Sequence, residues 1–284
     1  MIVNIDIETI PTQKKGAYET FLLEAQSSFK APSSLSKKQA LEDLGLPPEQ
    51  QPQKFWTKDD TIKVWENEFA SLKAPEVAEE NYRRTALDGS KGEIFSIAFA
   101  VEDNEPQCIW IDGSHITNEE DLLLAFFDRL KPKTMGRPPY FVGHNIGGFD
   151  LRFIYQRCVV NRCPPPFSIP YYGRHSFDYF DTMIDWGGKN RISQDELCKI
   201  LNIEGKPNDI DGSKVWDFVK EGEGERVAEY NIDDVVKNRE IYMRLSFKES
   251  ISKAPQNTQQ NQDFKTNACD NLNLTSANNI KIQL

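Results

Sequence analysis

The sequence has few cysteines and histidines, and they are not arranged as metal ligands or disulfide pairs. Its five cysteines form no CxxC motif, and its three histidines do not follow zinc-ligand spacing. The five are Cys108, Cys158, Cys163, Cys198 and Cys269. We therefore expect a reduced, cytoplasmic protein without structural zinc.

The sequence also lacks an excess of basic residues and any long apolar run. Its formal net charge of −10 argues against a long basic groove that neutralises many phosphates. A polyanionic ligand would have to be held locally or with the help of metal ions. No apolar run approaches the roughly 20 residues of a membrane helix, and the first residues do not resemble a signal peptide.

The opening stretch NIDIET does contain two acidic residues in an apolar strand. Successive side chains of a strand point to opposite faces, so Val3, Ile5 and Ile7 share one face. Asp6 and Glu8 share the other face, with their Cβ atoms about 6 to 7 Å apart. Such a pair is either two solvated acids or the ligands of one cation.

Element patterns along the chain indicate an α/β protein with a mixed sheet. A strand opens the chain, and residues 13–90 read as a mostly helical insertion because helix-period segments alternate with Pro-rich breaks. Two strands follow, and then helices alternate with strands. From residue 250 to 284 the sequence is rich in Asn, Gln, Ser and Thr, which predicts a disordered tail.

Two further segments place acidic residues near possible ligand sites. In YNIDD of the last long helix, Tyr230 and Asp234 are four residues apart and share one helix face. In GHNIGGFD, Gly147 and Gly148 allow a close backbone turn just before Asp150 at a helix start. Taken singly, these acids are equally explained as a solvated helix face and a helix cap.

The three motifs DIE, NxxxFD and YxxxD, in this order, resemble the tyrosine-bearing (DEDDy) branch of the DEDD exonuclease superfamily. The stretches HSFDYFDTMID and SQDELCKIL through YNIDDVVKNREIYMRL resemble the predicted 3′–5′ exonucleases related to the exonuclease domain of family B DNA polymerases. This resemblance covers about residues 1–12 and 84–247. One departure is Asn231-Ile232 after Tyr230, where the group usually has Cys-Glu.

The resemblance implies a ribonuclease H-like mixed β-sheet flanked by helices, with a helical insertion after the first strand. It also implies an exonuclease domain over residues 1–249. Four acids without a nearby Cys or His ligand favour a hard cation, Mg²⁺ or Mn²⁺. Two such ions about 3.5 to 4 Å apart can assist an in-line displacement at phosphorus.

The resemblance assigns a role to each candidate catalytic residue. Asp6 would bridge two ions, and Glu8 and Asp234 would complete the site of the ion that activates water. Asp150 would hold the second ion, and Tyr230 would orient the attacking water, since a phenol with a pKa near 10 is a poor base at neutral pH.

Neighbouring residues have more than one interpretation. Asn145 is a candidate ligand of the substrate backbone, and Phe149 either lies against the terminal base or sugar or belongs to the core. His144 is expected to be structural. Asp181 either matches a recurrent acidic position of the superfamily or caps the following turn.

The leading hypothesis is a two-metal-ion 3′–5′ exonuclease that acts on single-stranded DNA ends and releases nucleoside 5′-monophosphates. One alternative is an exoribonuclease, because the same four acids serve both substrates. Another is a non-catalytic nucleic-acid-binding or polymerase-associated module. Proofreading, DNA repair and nucleotide turnover all remain open as roles, with replication or repair proteins as partners.

Overall fold

Five strands form one mixed sheet in a computed structural model that describes residues 1–46, 55–134, 138–173, 178–204 and 210–248. The strands are β1 (Ile2–Ile10), β2 (Glu93–Val101), β3 (Gln107–Trp110), β4 (Tyr140–Gly143) and β5 (Tyr179–Asp181). Their order in the sheet is β3-β2-β1-β4-β5. The central strand β1 runs antiparallel to β2 and parallel to β4.

Helices flank this sheet within the described residues. They are α1 (Ala17–Ser28), α2 (Lys37–Asp43), α3 (Lys58–Arg84), α4 (Glu119–Thr134), α5 (Asp150–Val160), α6 (Thr182–Gly187), α7 (Gln194–Leu201), α8 (Val215–Lys220) and α9 (Gly224–Leu245). The predicted α/β fold class, a mixed sheet flanked by helices, is confirmed. None of these helices is long and apolar enough to cross a membrane.

The two faces of β1 pack against different layers. Val3, Ile5 and Ile7 are buried in the main core, which also contains residues of α4 and α5. The other face, with Asp6 and Glu8, is covered by α9, which contacts β1, β2 and β3. The predicted alternation along β1 is therefore confirmed, and the acidic residues lie beneath a helix rather than in open solvent.

Small residues of β2 make room for α9 beside the two acids. Ala98 pairs with Asp6 in the sheet register, and Ser96 pairs with Glu8. Ala98 also packs against Val235 of α9. Larger side chains at these positions of β2 would push the helix away from the sheet, because interior packing leaves little free space.

A buried ion pair fastens α4 and α5 to the sheet. Arg157 donates from Nε to Oε1 of Glu119 at 2.8 Å and from Nη2 to Oε2 at 2.6 Å. The same carboxylate accepts the backbone N–H of Ile94 at 2.7 Å and the side-chain amide of Asn161 at 2.6 Å. Glu119 thus links β2, α4 and α5, and both oxygens of its carboxylate accept hydrogen bonds.

The segment predicted as a helical insertion contains α1, α2 and α3. Trp65 of α3 stacks on Phe69 at a ring-centroid distance of 4.5 Å, so it belongs to this segment's own small core. Pro75 lies inside α3 and does not end it. Residues Met1–Ser246 form one compact unit. The tail predicted at 250–284 lies outside the described residues.

Candidate active site

Three carboxylates from two distant parts of the chain meet beneath α9. Asp6 and Glu8 come from β1, and Asp234 comes from α9. Each offers an oxygen, and these oxygens all lie within 4.8 Å of one another. Glu8 and Asp234 keep only 9% and 8% of their surface exposed. The register of β1 and β2 shifts just after Glu8, as often happens beside active sites.

Asp150 lies beside this group but is anchored differently. It is the first residue of α5, it is 4% exposed, and its Oδ1 accepts the backbone N–H of Ile7 at 3.1 Å. Its negative charge acts on both Asp6 and Glu8. The structure therefore brings all four predicted acids into one electrostatic cluster, with Asp150 outside the tight group of three.

Tyr230 stands one helical turn before Asp234 and donates its phenol O–H to that carboxylate. Burial raises the pKa of Tyr230 well above its ordinary value, and the neighbouring acids raise it further. Its ring packs against the apolar cluster of Ile10, Phe95 and Val227. The phenol is thus held protonated and in a fixed place.

The four acids strongly oppose one another's ionisation. Burial raises the pKa of Asp6 and of Glu8 well above their ordinary values, and the neighbouring carboxylates raise them further. Burial also raises the pKa of Asp150 to about 7. Burial raises the pKa of Asp234, although Lys237 opposes this effect. Such a cluster gains most from a bound cation.

Lys237 supplies a positive charge at this cluster. Its Nζ lies 3.2 Å from Oδ1 of Asp234 and 3.0 Å from Oδ2 of Asp233, and its side chain is 9% exposed. Sequence reasoning did not single out Lys237, although its i+3 and i+4 spacing from these two acids was a signal. One ammonium cannot balance four carboxylates, so the donor set fits a hard divalent cation.

The loop before α5 is held by Asp181. Its carboxylate accepts the backbone N–H groups of Asn145 at 3.0 Å and Gly147 at 3.2 Å, and it also caps α6. A side chain at position 147 would collide with the ring of Tyr179, so only glycine fits there. The capping role considered for Asp181 is present, together with a second role in fixing this loop.

The other candidate residues have these positions. His144 bonds Thr182 Oγ1 through Nδ1 and the carbonyl of Ile192 through Nε2, both at 2.9 Å, so both ring nitrogens have protein partners. Phe149 is partly buried, packs against the main core and lies 5.5 Å from the ring of Phe153. Asn145 adopts a left-handed backbone with φ of 55°. Substrate contact by Asn145 or Phe149 stays a prediction.

A cavity of about 250 Å³ opens over the acid cluster. Its lining residues are Asp6, His144, Ser193, Gln194, Asp195, Tyr230 and Asp234. A larger groove of about 820 Å³ lies beside β2, β3 and the start of α9, but none of the four candidate acids lines it. The smaller cavity is therefore the one where chemistry at the acids would occur.

The acid cluster should make the metal-free protein sensitive to pH. Burial raises the pKa of Asp150 to about 7 from an ordinary value of 3.8. Stability from the protonated group is therefore full below about pH 4 and is lost as the pH rises through 7. The Asn side chain does not ionise and keeps its stability. In EDTA, the free energy of unfolding of Asp150→Asn, relative to the wild type, should therefore increase by about 2 to 3 kcal/mol as the pH rises from 5 to 8.

Urea unfolding at the two pH values measures this difference. Asp103→Asn, which makes the same change at an exposed position, is the control and should follow the wild type. A gain for Asp150→Asn that is equal at pH 5 and pH 8 would contradict the raised pKa.

A search of curated proteins finds no match to this chain. Among solved structures, the chain is similar to the family B DNA polymerase from the hyperthermophilic archaeon Pyrobaculum calidifontis, with 13% identity and a TM-score of 0.48. The match covers 86% of this chain and 24% of the polymerase, so the chain spans about a quarter of the polymerase's length.

A family model assigns the chain more directly. The model described as "Predicted 3′-5′ exonuclease related to the exonuclease domain of PolB" matches residues 90–268, well over half of the chain. The matched range includes Asp150, Tyr230 and Asp234, whereas Asp6 and Glu8 precede it. The chain belongs to this family of predicted 3′–5′ exonucleases.

Proposed function

We propose that the chain is a metal-dependent 3′–5′ exonuclease that hydrolyses the last phosphodiester bond of single-stranded DNA and releases nucleoside 5′-monophosphates. The observation that carries this proposal is the convergence of Asp6, Glu8 and Asp234 within 4.8 Å, beside Asp150 and Tyr230. Family membership supports the reaction and its polarity.

Each acid has a part in this proposal. Asp6, Glu8 and Asp234 would hold one divalent cation, and Asp150 with Asp6 would hold a second. Bound Mg²⁺ or Mn²⁺ supplies charge neutralisation at the phosphate and an activated water. Because the three carboxylates come from two elements, correct packing of α9 on β1 is a condition for binding.

Tyr230 would orient the water that attacks phosphorus. Its O–H is donated to Asp234, which leaves the phenol oxygen free to accept a hydrogen bond from a water in the cavity. Since burial raises its pKa, the phenol does not act as a base near neutral pH. Its contribution is geometric.

The preference for single strands follows from space and charge. A cavity of about 250 Å³ admits a frayed strand end, whereas a paired end must first unstack and unpair at a cost of a few kcal/mol. The net charge of −10 offers a duplex little phosphate neutralisation in return.

The test uses 5′-labelled DNA oligonucleotides given single-stranded, paired, and blocked by a 3′ phosphate, with Mg²⁺, Mn²⁺ or EDTA. We expect a ladder that shortens from the 3′ end of the unpaired strand, and no cleavage in EDTA. Endonucleolytic bands or shortening from the 5′ end would refute the proposal. An RNA oligonucleotide of the same sequence decides whether the protein is a DNA exonuclease or an exoribonuclease.

Substitution of Tyr230 by Phe should cause a partial loss. The variant keeps the ring and its packing but loses one hydrogen bond, which is worth about 1 to 1.5 kcal/mol. We expect kcat to fall about tenfold with little change in KM. Tyr242→Phe, a buried tyrosine later on the same helix, is the matched control and should retain kcat. A loss as large as that of a metal ligand would show that Tyr230 does more than position water.

A further inference from the structure

Asn231 is buried between α9 and the sheet, directly beside the acid cluster. It is 0% exposed, and its side-chain amide reaches both β1 and β2. On one side it meets the backbone oxygen and Oδ2 of Asp6, each at 3.2 Å. On the other side it meets Ser96 Oγ at 2.7 Å and the backbone N–H of Glu8 at 3.3 Å.

The orientation of the amide follows from these neighbours. Both atoms on the Asp6 side are oxygens that accept hydrogen bonds, so the amide nitrogen must face them. The amide oxygen then accepts from Ser96 and from the N–H of Glu8. In this orientation both ends of the Asn231 side chain have hydrogen-bond partners. These partners belong to Asp6, to Glu8 and to Ser96, which pairs with Glu8 in the sheet.

We propose that Asn231 is a positioning residue that fixes the Asp6 carboxylate for cation binding and sets α9 at the correct place on β1. This inference rests on the proposed function. The carboxylates of Asp6 and Glu8 repel each other, and a buried donor on Oδ2 limits the rotation of the Asp6 carboxylate. A neighbour that orients a metal ligand in this way is typically worth about 10- to 100-fold in metal affinity or activity.

The family resemblance does not suggest this role. Its usual residue at position 231 is cysteine, and a thiol is a weak donor that cannot bond Asp6, Ser96 and Glu8 together. The amide at this position is therefore a feature of this chain that follows from its own geometry.

The experiment compares Asn231→Ala with Thr61→Ala in the full chain. Thr61 is an equally buried polar residue, but its hydroxyl donates to the carbonyl of Thr57 at the start of α3, a helix that carries none of the four candidate acids. Three quantities are measured: the Kd of Mn²⁺ by calorimetry without substrate, and kcat and KM on a single-stranded oligonucleotide at saturating Mn²⁺.

For Asn231→Ala we expect the Kd of Mn²⁺ to rise and kcat to fall, each about 10- to 100-fold, with KM changed less than about twofold. Thr61→Ala should keep the wild-type Kd, kcat and KM even if its melting temperature falls as far. Equal losses in the two variants would mean that Asn231 only supports the fold, and the proposal would be wrong.

A second variant covers the case in which Asn231→Ala does not fold. Asn231→Leu with Ser96→Ala replaces both hydrogen-bonding partners by apolar groups, which is often nearly neutral for stability. It should show the same rise in the Kd of Mn²⁺, and a Kd equal to that of the wild type overturns the proposal. A wild type that binds no Mn²⁺ and cleaves nothing defeats the proposed function as well as this inference.

Discussion

Asp6→Asn should abolish cleavage, with kcat falling about 1000-fold or more, while the protein remains folded. Asp6 belongs to the group of three carboxylates within 4.8 Å, and the amide keeps its shape but removes the charge that would hold a cation. A bound metal ion contributes several kcal/mol to a phosphoryl-transfer barrier, and each 1.36 kcal/mol is a factor of ten.

The fold should survive this change because the removed charge is repelled by its neighbours. Burial and the charges of Asp150, Asp234 and Glu8 all raise the pKa of Asp6. In EDTA at pH 8, Asp6→Asn should therefore melt at the same temperature as the wild type or higher.

The control for this prediction is Glu229→Gln, which makes the same change at an exposed position of α9 next to Tyr230. It should retain kcat within about twofold, as expected of surface substitutions. Full-length Asp6→Asn protein that still cleaves, or that is inactive only because circular dichroism shows it unfolded, would contradict the placement of the site.

Arg157→Met should destabilise the fold by about 3 to 5 kcal/mol, a large share of the stability of a typical domain. Arg157 is 5% exposed and holds the Glu119 carboxylate through paired bonds at 2.8 and 2.6 Å. Without it, Glu119 is left as a buried charge with only neutral donors. Urea unfolding at pH 7 measures the loss.

Two variants make this test specific. Arg84→Met removes an exposed ion pair with Glu80, whose partners are 67% and 62% exposed, and should cost less than about 1 kcal/mol. The double variant Glu119→Leu with Arg157→Met removes both buried charges and should recover much of the loss. A double variant less stable than Arg157→Met alone would show that the hydrogen bonds of Glu119 to Ile94 and Asn161 outweigh the cost of its unpaired charge.

Local periodicity in the sequence predicted which side chains share a face of a strand or helix in several parts of this protein. The alternation in NIDIET predicted that Asp6 and Glu8 lie opposite the core residues of β1, and the structure confirms it. Four-residue spacing placed Tyr230 and Asp234 on one face of α9, where the phenol donates to the carboxylate. Such features depend on residues close together in the chain, where backbone geometry alone decides which side chains share a face.

The tertiary structure alone decided what surrounds the acids. Asp150 accepts a hydrogen bond from Ile7, 143 residues away, and Asn231 bonds Asp6 and Ser96 across two strands. These contacts depend on the sheet order and on the small residues of β2 that let α9 approach. In the sequence, Asn231 was only a departure from the residue that the family usually has there, because a motif records which ligands are present but not the neighbours that orient them. Those neighbours come from distant segments, and only the packing of the whole sheet brings them together.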